Sequence, residues 1–199
     1  MSGPLPRIGK SAPLFEGDVV KYNYRKKEIL FDQISLVEII AEKQWTVLFF
    51  YPRDFSRLCP TEIHSFNRRV KDFQKANCVL IGCSTDSRNS HKPWMERPRT
   101  KGGIDKLSYP LLADPSLKIT SAYGVVEKSA GLALRGTFII DDQGYLRSLT
   151  VNPPSIGRSV DETVRTLQHQ HLQGPGHTED MLEAVRHCVD RQDGIMLCV

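Results

Sequence analysis

Trp45-Thr46-Val47-Leu48-Phe49-Phe50-Tyr51, the loop Pro52-Arg53-Asp54-Phe55-Ser56-Arg57-Leu58, and Cys59-Pro60-Thr61-Glu62 form one continuous stretch whose reading decides the fold. Its first seven residues are apolar, β-branched or aromatic almost throughout, the pattern of a strand buried on both faces. After the loop, Ile63, Phe66, Val70 and Phe73 recur at intervals of three and four, which predicts one face of a helix of about four turns. Val79-Leu80-Ile81-Gly82 is the next buried strand. Strand, helix and strand make a βαβ unit, whose crossover is right-handed and whose strands are parallel.

Working outward, Ser35-Leu36-Val37-Glu38 has the form of a capping box and opens a short helix before Trp45. Ser87 to Met95 opens another, with Ser87 or Asp86 as cap, and Gly102-Gly103 closes that segment. Pro115 to Tyr123 is a further helix, with Pro115 in its first turn and Gly124 at its end. Thr137 to Ile140 and Tyr145 to Val151 flank Asp141-Asp142-Gln143-Gly144, a hairpin signal. A last helix runs from about Ser159 to Gln170. This order predicts an α/β sandwich of three layers around a mixed sheet.

The 199 residues fit one domain with a tail, and 40% hydrophobic with 25% charged residues argues for a globule over a disordered chain. The net charge of +4 is spread along the chain, and the runs at Arg25–Lys27 and Arg97–Lys101 lack interleaved aromatics, so no nucleic-acid partner is expected. The longest apolar run, Val47 to Tyr51, is far short of the roughly 20 residues a membrane helix needs. No membrane partner is expected, and a cytoplasmic location is the default. Five cysteines (59, 78, 83, 188 and 198) without framework spacing argue for reduced thiols.

Among these, Cys59 stands out by position. Pro60 is disfavoured inside a helix and favoured at its first position, so Cys59 sits at or beside the N-cap. Unpaired backbone N–H groups and the positive end of the helix dipole there favour a thiolate, and such thiols titrate at about 3.5–7.5. It also follows a strand's carboxyl end, where open α/β sheets place their chemistry. On spacing alone two readings stand: an activated nucleophile, or a small residue packed in the core.

Beyond spacing, Pro52, Ser56 and Cys59 fit the pattern P-x-x-x-[T/S]-x-x-C, and Cys59-Pro60-Thr61-Glu62-Ile63 extends it. In these residues the sequence resembles the peroxiredoxins, of the typical 2-Cys, alkyl-hydroperoxide-reductase type. The resemblance runs from about Ile8 to Gln168 through Ser84-Thr85-Asp86-Ser87, Trp94, Tyr109 to Asp114, Arg135 to Asp141, and Gly157 to Glu162. It implies a thioredoxin-like fold over residues 1–168 and a thiol-dependent peroxidase acting on hydrogen peroxide and alkyl hydroperoxides. It also implies a thioredoxin-like reductant, a homodimer or higher oligomer, and no cofactor or metal. Carried over residue by residue, Cys59 is the nucleophile oxidised to sulfenic acid and Pro52 shields it. Ser56 is the hydroxyl that bonds thiolate and peroxide, and Arg135 is the guanidinium that favours the thiolate. Arg158 is a further candidate, and Glu62 and Trp94 either line the pocket or serve the core.

The pattern breaks in the tail, residues 169–199. A gapless extension places the family's resolving Val-Cys-Pro on Glu179, Asp180 and Met181, so the usual resolving cysteine is missing. Met181, Leu182, Val185, Cys188 and Val189 share one face of a possible helix. Cys188 and Cys198 are the candidate resolving thiols, an external thiol in a one-Cys cycle is the alternative, and Cys83 is a fourth. Gly102-Gly103-Ile104-Asp105 departs from the family's Gly-Gly-x-Gly, and no Tyr-Phe follows in the tail, departures that the resemblance links to resistance against hyperoxidation. Arg57 puts a charge where an aromatic is usual. The tail histidines match no metal-ligand spacing. Two further functions follow from a missing resolver: a redox sensor or relay, and an oligomeric holdase.

Overall fold

Residues 45–50 are buried on both faces, as their apolar run predicts, and the rest of the chain is layered around them. The computed structural model describes residues 4–173. Its strands are β1 (Glu16–Asn23), β2 (Glu28–Ser35), β3 (Trp45–Phe50), β4 (Cys78–Ser84), β5 (Leu111–Ala113), β6 (Val126–Glu127), β7 (Leu132–Ala133), β8 (Arg135–Ile140) and β9 (Leu146–Asn152). The helices are α1 (Leu36–Ala41), α2 (Cys59–Arg68), α3 (Val70–Lys75), α4 (Arg88–Glu96), α5 (Lys118–Ala122) and α6 (Val160–Gln173). Seven strands form one sheet in the order β2-β1-β5-β4-β3-β8-β9. The pairs β3–β4 and β4–β5 are parallel and the others antiparallel. The sheet is mixed, as expected.

Alternation along β3 divides the core in two. Val47 and Phe49, with Tyr51 after them, join Ile63, Phe66, Phe73, Val164 and Leu167 under α2, α3 and α6. Leu48 and Phe50 join Leu36, Ile39, Ile119 and Tyr123 under α1 and α5. Helices thus cover both faces, which makes the three layers of an α/β sandwich.

Several elements differ from the sequence reading, each for a local reason. The four-turn helix is broken at Arg69, whose N–H closes on the Phe66 carbonyl at 3.0 Å and whose side chain pairs with Asp72 and Asp161. Its apolar face nevertheless continues, with Ile63, Phe66 and Phe73 all buried. The helix expected from Pro115 begins only at Lys118. Leu117 is left-handed there (φ +61°), and the Asp114 carboxylate accepts Thr120 N–H and Oγ1 at 2.7 Å each, a side-chain cap in place of a first turn. Ser35 occupies the N-cap of α1 but makes no side-chain cap, and the first N–H of the helix, that of Leu36, donates to the Phe15 carbonyl. The β1–β2 hairpin was not anticipated. The predicted hairpin of β8 and β9 is present, and Gly144 turns it at φ +85°. The helix expected in the tail lies outside the described residues.

Gly82 is a point of close packing in the sheet: a Cβ there would meet Phe49 at 2.8 Å and Leu111 at 2.9 Å. Phe49 in turn stacks on Phe66 with ring centroids 4.1 Å apart, so this glycine fixes where α2 lies on the sheet. Gly82→Ala is expected to lower stability by roughly 1–3 kcal/mol through overpacking, measured as a shift of the urea midpoint at unchanged slope.

Candidate active site

Past Phe50, Tyr51 still donates to the Cys83 carbonyl at 2.9 Å, so the strand holds its direction to the edge of the loop. The chain then turns through residues 52–58 and enters α2 at Cys59, with Pro60 in the first turn. Cys59 is fully buried, at the helix N-terminus that the sequence predicts. Its N–H donates to Ser56 Oγ at 3.3 Å. That bond leaves the Ser56 hydroxyl hydrogen free to donate elsewhere. Pro52, at the start of the same loop, is buried.

The sulfur meets a cluster of buried charge. Arg135, at the start of β8 and 2% exposed, donates through Nη1 to Cys59 Sγ at 3.7 Å and to Glu62 Oε2. Its Nε donates to the Pro154 carbonyl at 2.7 Å. Glu62 stands one helical turn beyond Cys59 and its Oε1 also accepts Arg158 N–H at 2.8 Å and Nε at 3.1 Å. Arg158 Nη1 is held by the Phe50 and Gly136 carbonyls at 2.7 and 2.8 Å. Burial pulls the Arg158 guanidinium below its ordinary value, while Glu62, and more weakly Cys59, act in the opposite sense. With a neutral thiol the two guanidiniums and one carboxylate leave an excess of one positive charge. That charge is directed at the sulfur through Arg135 Nη1.

A second buried network fixes the loop. Tyr51 Oη donates to Asp54 Oδ1 at 2.9 Å, and Asp54 Oδ2 bonds His91 Nδ1 at 2.9 Å. Asp54 N–H and Ser84 Oγ both donate to Asp86 Oδ2 at 2.8 Å. Burial, with Asp54 nearby, raises the Asp86 carboxyl above its usual range. Trp94 donates to the Gly102 carbonyl at 3.1 Å and packs on Phe55 and Tyr51. Its role is to hold the loop in place, without contact to the sulfur.

The remaining described thiols are elsewhere. Cys83 faces the α1/α5 core, on the opposite side of the sheet from Cys59, and burial pushes its thiol well above the ordinary value. Cys78 lies at the other end of the β3–β4 pair, level with Trp45, and burial raises it too. Neither meets Cys59 without unfolding of the sheet, which removes Cys83 from the resolving candidates. Cys188 and Cys198 lie outside the described residues.

A thioredoxin-like sandwich that presents a buried cysteine at a helix N-terminus and against a buried arginine defines a thiol peroxidase. Comparison with protein families matches the AhpC/TSA family over residues 8–149. The chain is 44% identical to Peroxiredoxin 2 of Drosophila melanogaster over 164 residues, 82% of this chain and 80% of that protein. It is 42% identical to Peroxiredoxin-2 of Pongo abelii over 180 residues, 88% and 97% of the two chains. The reduced 2-Cys peroxiredoxin of Plasmodium vivax superposes with a TM-score of 0.76 at 31% identity, over 98% of this chain and 90% of that one. Mycobacterium tuberculosis AhpC gives 0.75 at 30% identity, over 87% and 96%. The chain belongs to the AhpC/TSA family, the peroxiredoxins, and its activity is that of a thiol-dependent peroxidase.

Of the sequence-predicted residues, Ser56, Cys59 and Arg135 are brought together, and Pro52 is buried in the same loop as Ser56. Arg135 itself is buried. Arg158 and Glu62, weaker candidates in sequence, form the cluster that holds Arg135. The carbonyls of Phe50 and Gly136 had no sequence signal, because any residue supplies a carbonyl. Arg135→Met is expected to slow peroxide attack by about a hundredfold, since it removes a fixed donor at the reacting sulfur. Stopped-flow rates with the reduced protein measure this, and a rate equal to the native one would mean that Arg135 takes no part in the reaction.

Proposed function

We propose that Cys59 is the peroxidatic nucleophile. The observation that carries this is the guanidinium of Arg135 donating to Cys59 Sγ at 3.7 Å within a buried site. The thiolate attacks the terminal peroxide oxygen, an S–O bond forms as the O–O bond breaks, and the leaving alkoxide or hydroxide takes up a proton. Sulfur is thereby oxidised by two electrons to a sulfenic acid. Arg135 and the Ser56 hydroxyl are donors aimed at the oxygens onto which charge moves, where preorganised dipoles act most strongly. Pro52 closes the site over the sulfur and excludes water. Nothing in this step requires a metal or organic cofactor.

The substrates are hydrogen peroxide and small alkyl hydroperoxides. A thiol then condenses with the sulfenic acid, releasing water and forming a disulfide that a thioredoxin-like dithiol reduces. A structurally similar Plasmodium yoelii protein is described as a thioredoxin peroxidase, which supports that reductant. A homodimer or larger oligomer in the cytoplasm is the assembly and location we assign, and residues 1–168 are the peroxidase domain.

Cys59→Ser is expected to abolish peroxide consumption with the fold intact by circular dichroism; retention of most activity would refute the assignment. Mass spectrometry after one equivalent of peroxide reads the resolving step. If Cys198 resolves, deleting Gly194 to Val199 leaves the first oxidation fast and stops thioredoxin-driven turnover. If Cys188→Ser alone stops it, Cys188 is the partner, and turnover surviving both changes identifies a one-Cys cycle.

A further inference from the structure

A cleft of about 480 Å³ lies between the Cys59 loop, the first turns of α2 and the segment that follows α4, and Ser56, Arg57, Thr61, His64, Arg97 and Arg99 line it. The three arginines are exposed. Among the described residues no carboxylate pairs with any of them, and Arg97 rests over the Phe55 ring at 5.0 Å. Exposed arginines alone would be solvated surface. His64 is different: it is only 7% exposed, and its buried Nε2 has no hydrogen-bond partner. Buried polar atoms are nearly always paired, so an orphan nitrogen at the wall of a cationic cleft points to a missing partner.

We infer that this cleft binds the phosphate or carboxylate group of a small acidic molecule, held by Arg57, Arg99 and the His64 ring. Planar guanidiniums suit both groups because their forked donors match two oxygens at once. Three arginines from two separate segments repel one another until an anion sits between them. Burial first, then Arg99 and Arg68, hold the His64 ring below its ordinary pKa, with the Gly103 backbone and Asp105 acting against them. A bound anion adds to the second group, and the ring donates to it. Ser56 joins this cleft to the Cys59 site, since its Oγ accepts the Cys59 N–H. An acidic hydroperoxide is therefore one source of the anion and a separate acidic effector the other. The cleft stands on its own geometry, and only its assignment to substrate rests on the peroxidase reading.

Inorganic phosphate titrated into the reduced full-length protein tests the site by calorimetry. Saturable one-site binding is expected, with the His64 ring resonances moving along the same isotherm. Arg57→Gln and Arg99→Gln, both at exposed positions that leave the fold alone, should each weaken it by about tenfold or more. Absent saturation, or equal binding by both variants, would overturn the proposal. Kinetics with a carboxylate-bearing alkyl hydroperoxide, its methyl ester and hydrogen peroxide separate the two sources. A KM raised by phosphate for the acid alone, with the preference over the ester lost in Arg99→Gln, assigns the anion to the substrate. Phosphate binding with all three KM values unchanged assigns it to an effector. Failure to consume hydrogen peroxide while phosphate still binds would count against the peroxidase reading and leave the cleft standing.

Discussion

Glu62, buried between the guanidiniums of Arg135 and Arg158, is the interaction on which the rest of the site depends. Two arginines sealed in a protein interior are costly unless each is paired and its donors are satisfied. Glu62 supplies the pairing, and the carbonyls of Phe50, Gly136 and Pro154 accept three further guanidinium donors. The cluster's two guanidiniums and one carboxylate leave one positive charge beside Cys59. The carboxylate is part of α2 itself, so forming the helix that presents the thiol also brings in the group that orients its cation.

The sheet gives this cluster its geometry. β3 and β8 are antiparallel neighbours, so the carboxyl end of one lies beside the amino end of the other. Cys59 follows the first and Arg135 opens the second, which brings residues 76 positions apart in sequence to 3.7 Å. Packing then fixes the distance. Phe49 points from β3 to stack on Phe66 of α2, and Gly82 leaves the room for it on β4. The alternation along β4 puts Cys83 in the opposite core, so the sheet lies between that thiol and Cys59 on α2.

What could be read from sequence was whatever has a period or a chemical signature. The run Trp45–Phe50, the faces of α2 and α3, and the β8–β9 hairpin were legible because burial imposes spacing on them. Cys59 and Pro60 were legible because proline at a helix start leaves few alternatives. The break at Arg69 was not, because it comes from a guanidinium drawn to Asp161 on a distant helix, and the late start of α5 comes from Asp114 capping Thr120. The β1–β2 hairpin escaped because β2 is largely exposed, so burial imposes no clean alternation there. Glu62 and Arg158 gave only weak signals for a related reason: a charged residue carries no mark in sequence to distinguish a solvated surface from a buried partner.

A buried charge cluster of this kind is a poor device for stability, since apolar residues of equal volume commonly do as well or better. Its presence is better explained by the chemistry. In the mechanism we propose, attack moves one negative charge from the sulfur to the departing oxygen beside the guanidinium that already donates to the sulfur, so the net charge of the cluster is unchanged along the reaction. Donors already fixed by Glu62 and the backbone carbonyls need no rearrangement as that charge moves, which is the condition under which electrostatic stabilisation is largest. The stability given up in burying two arginines is thus returned as a site whose surroundings match the charge both before and after the O–O bond breaks.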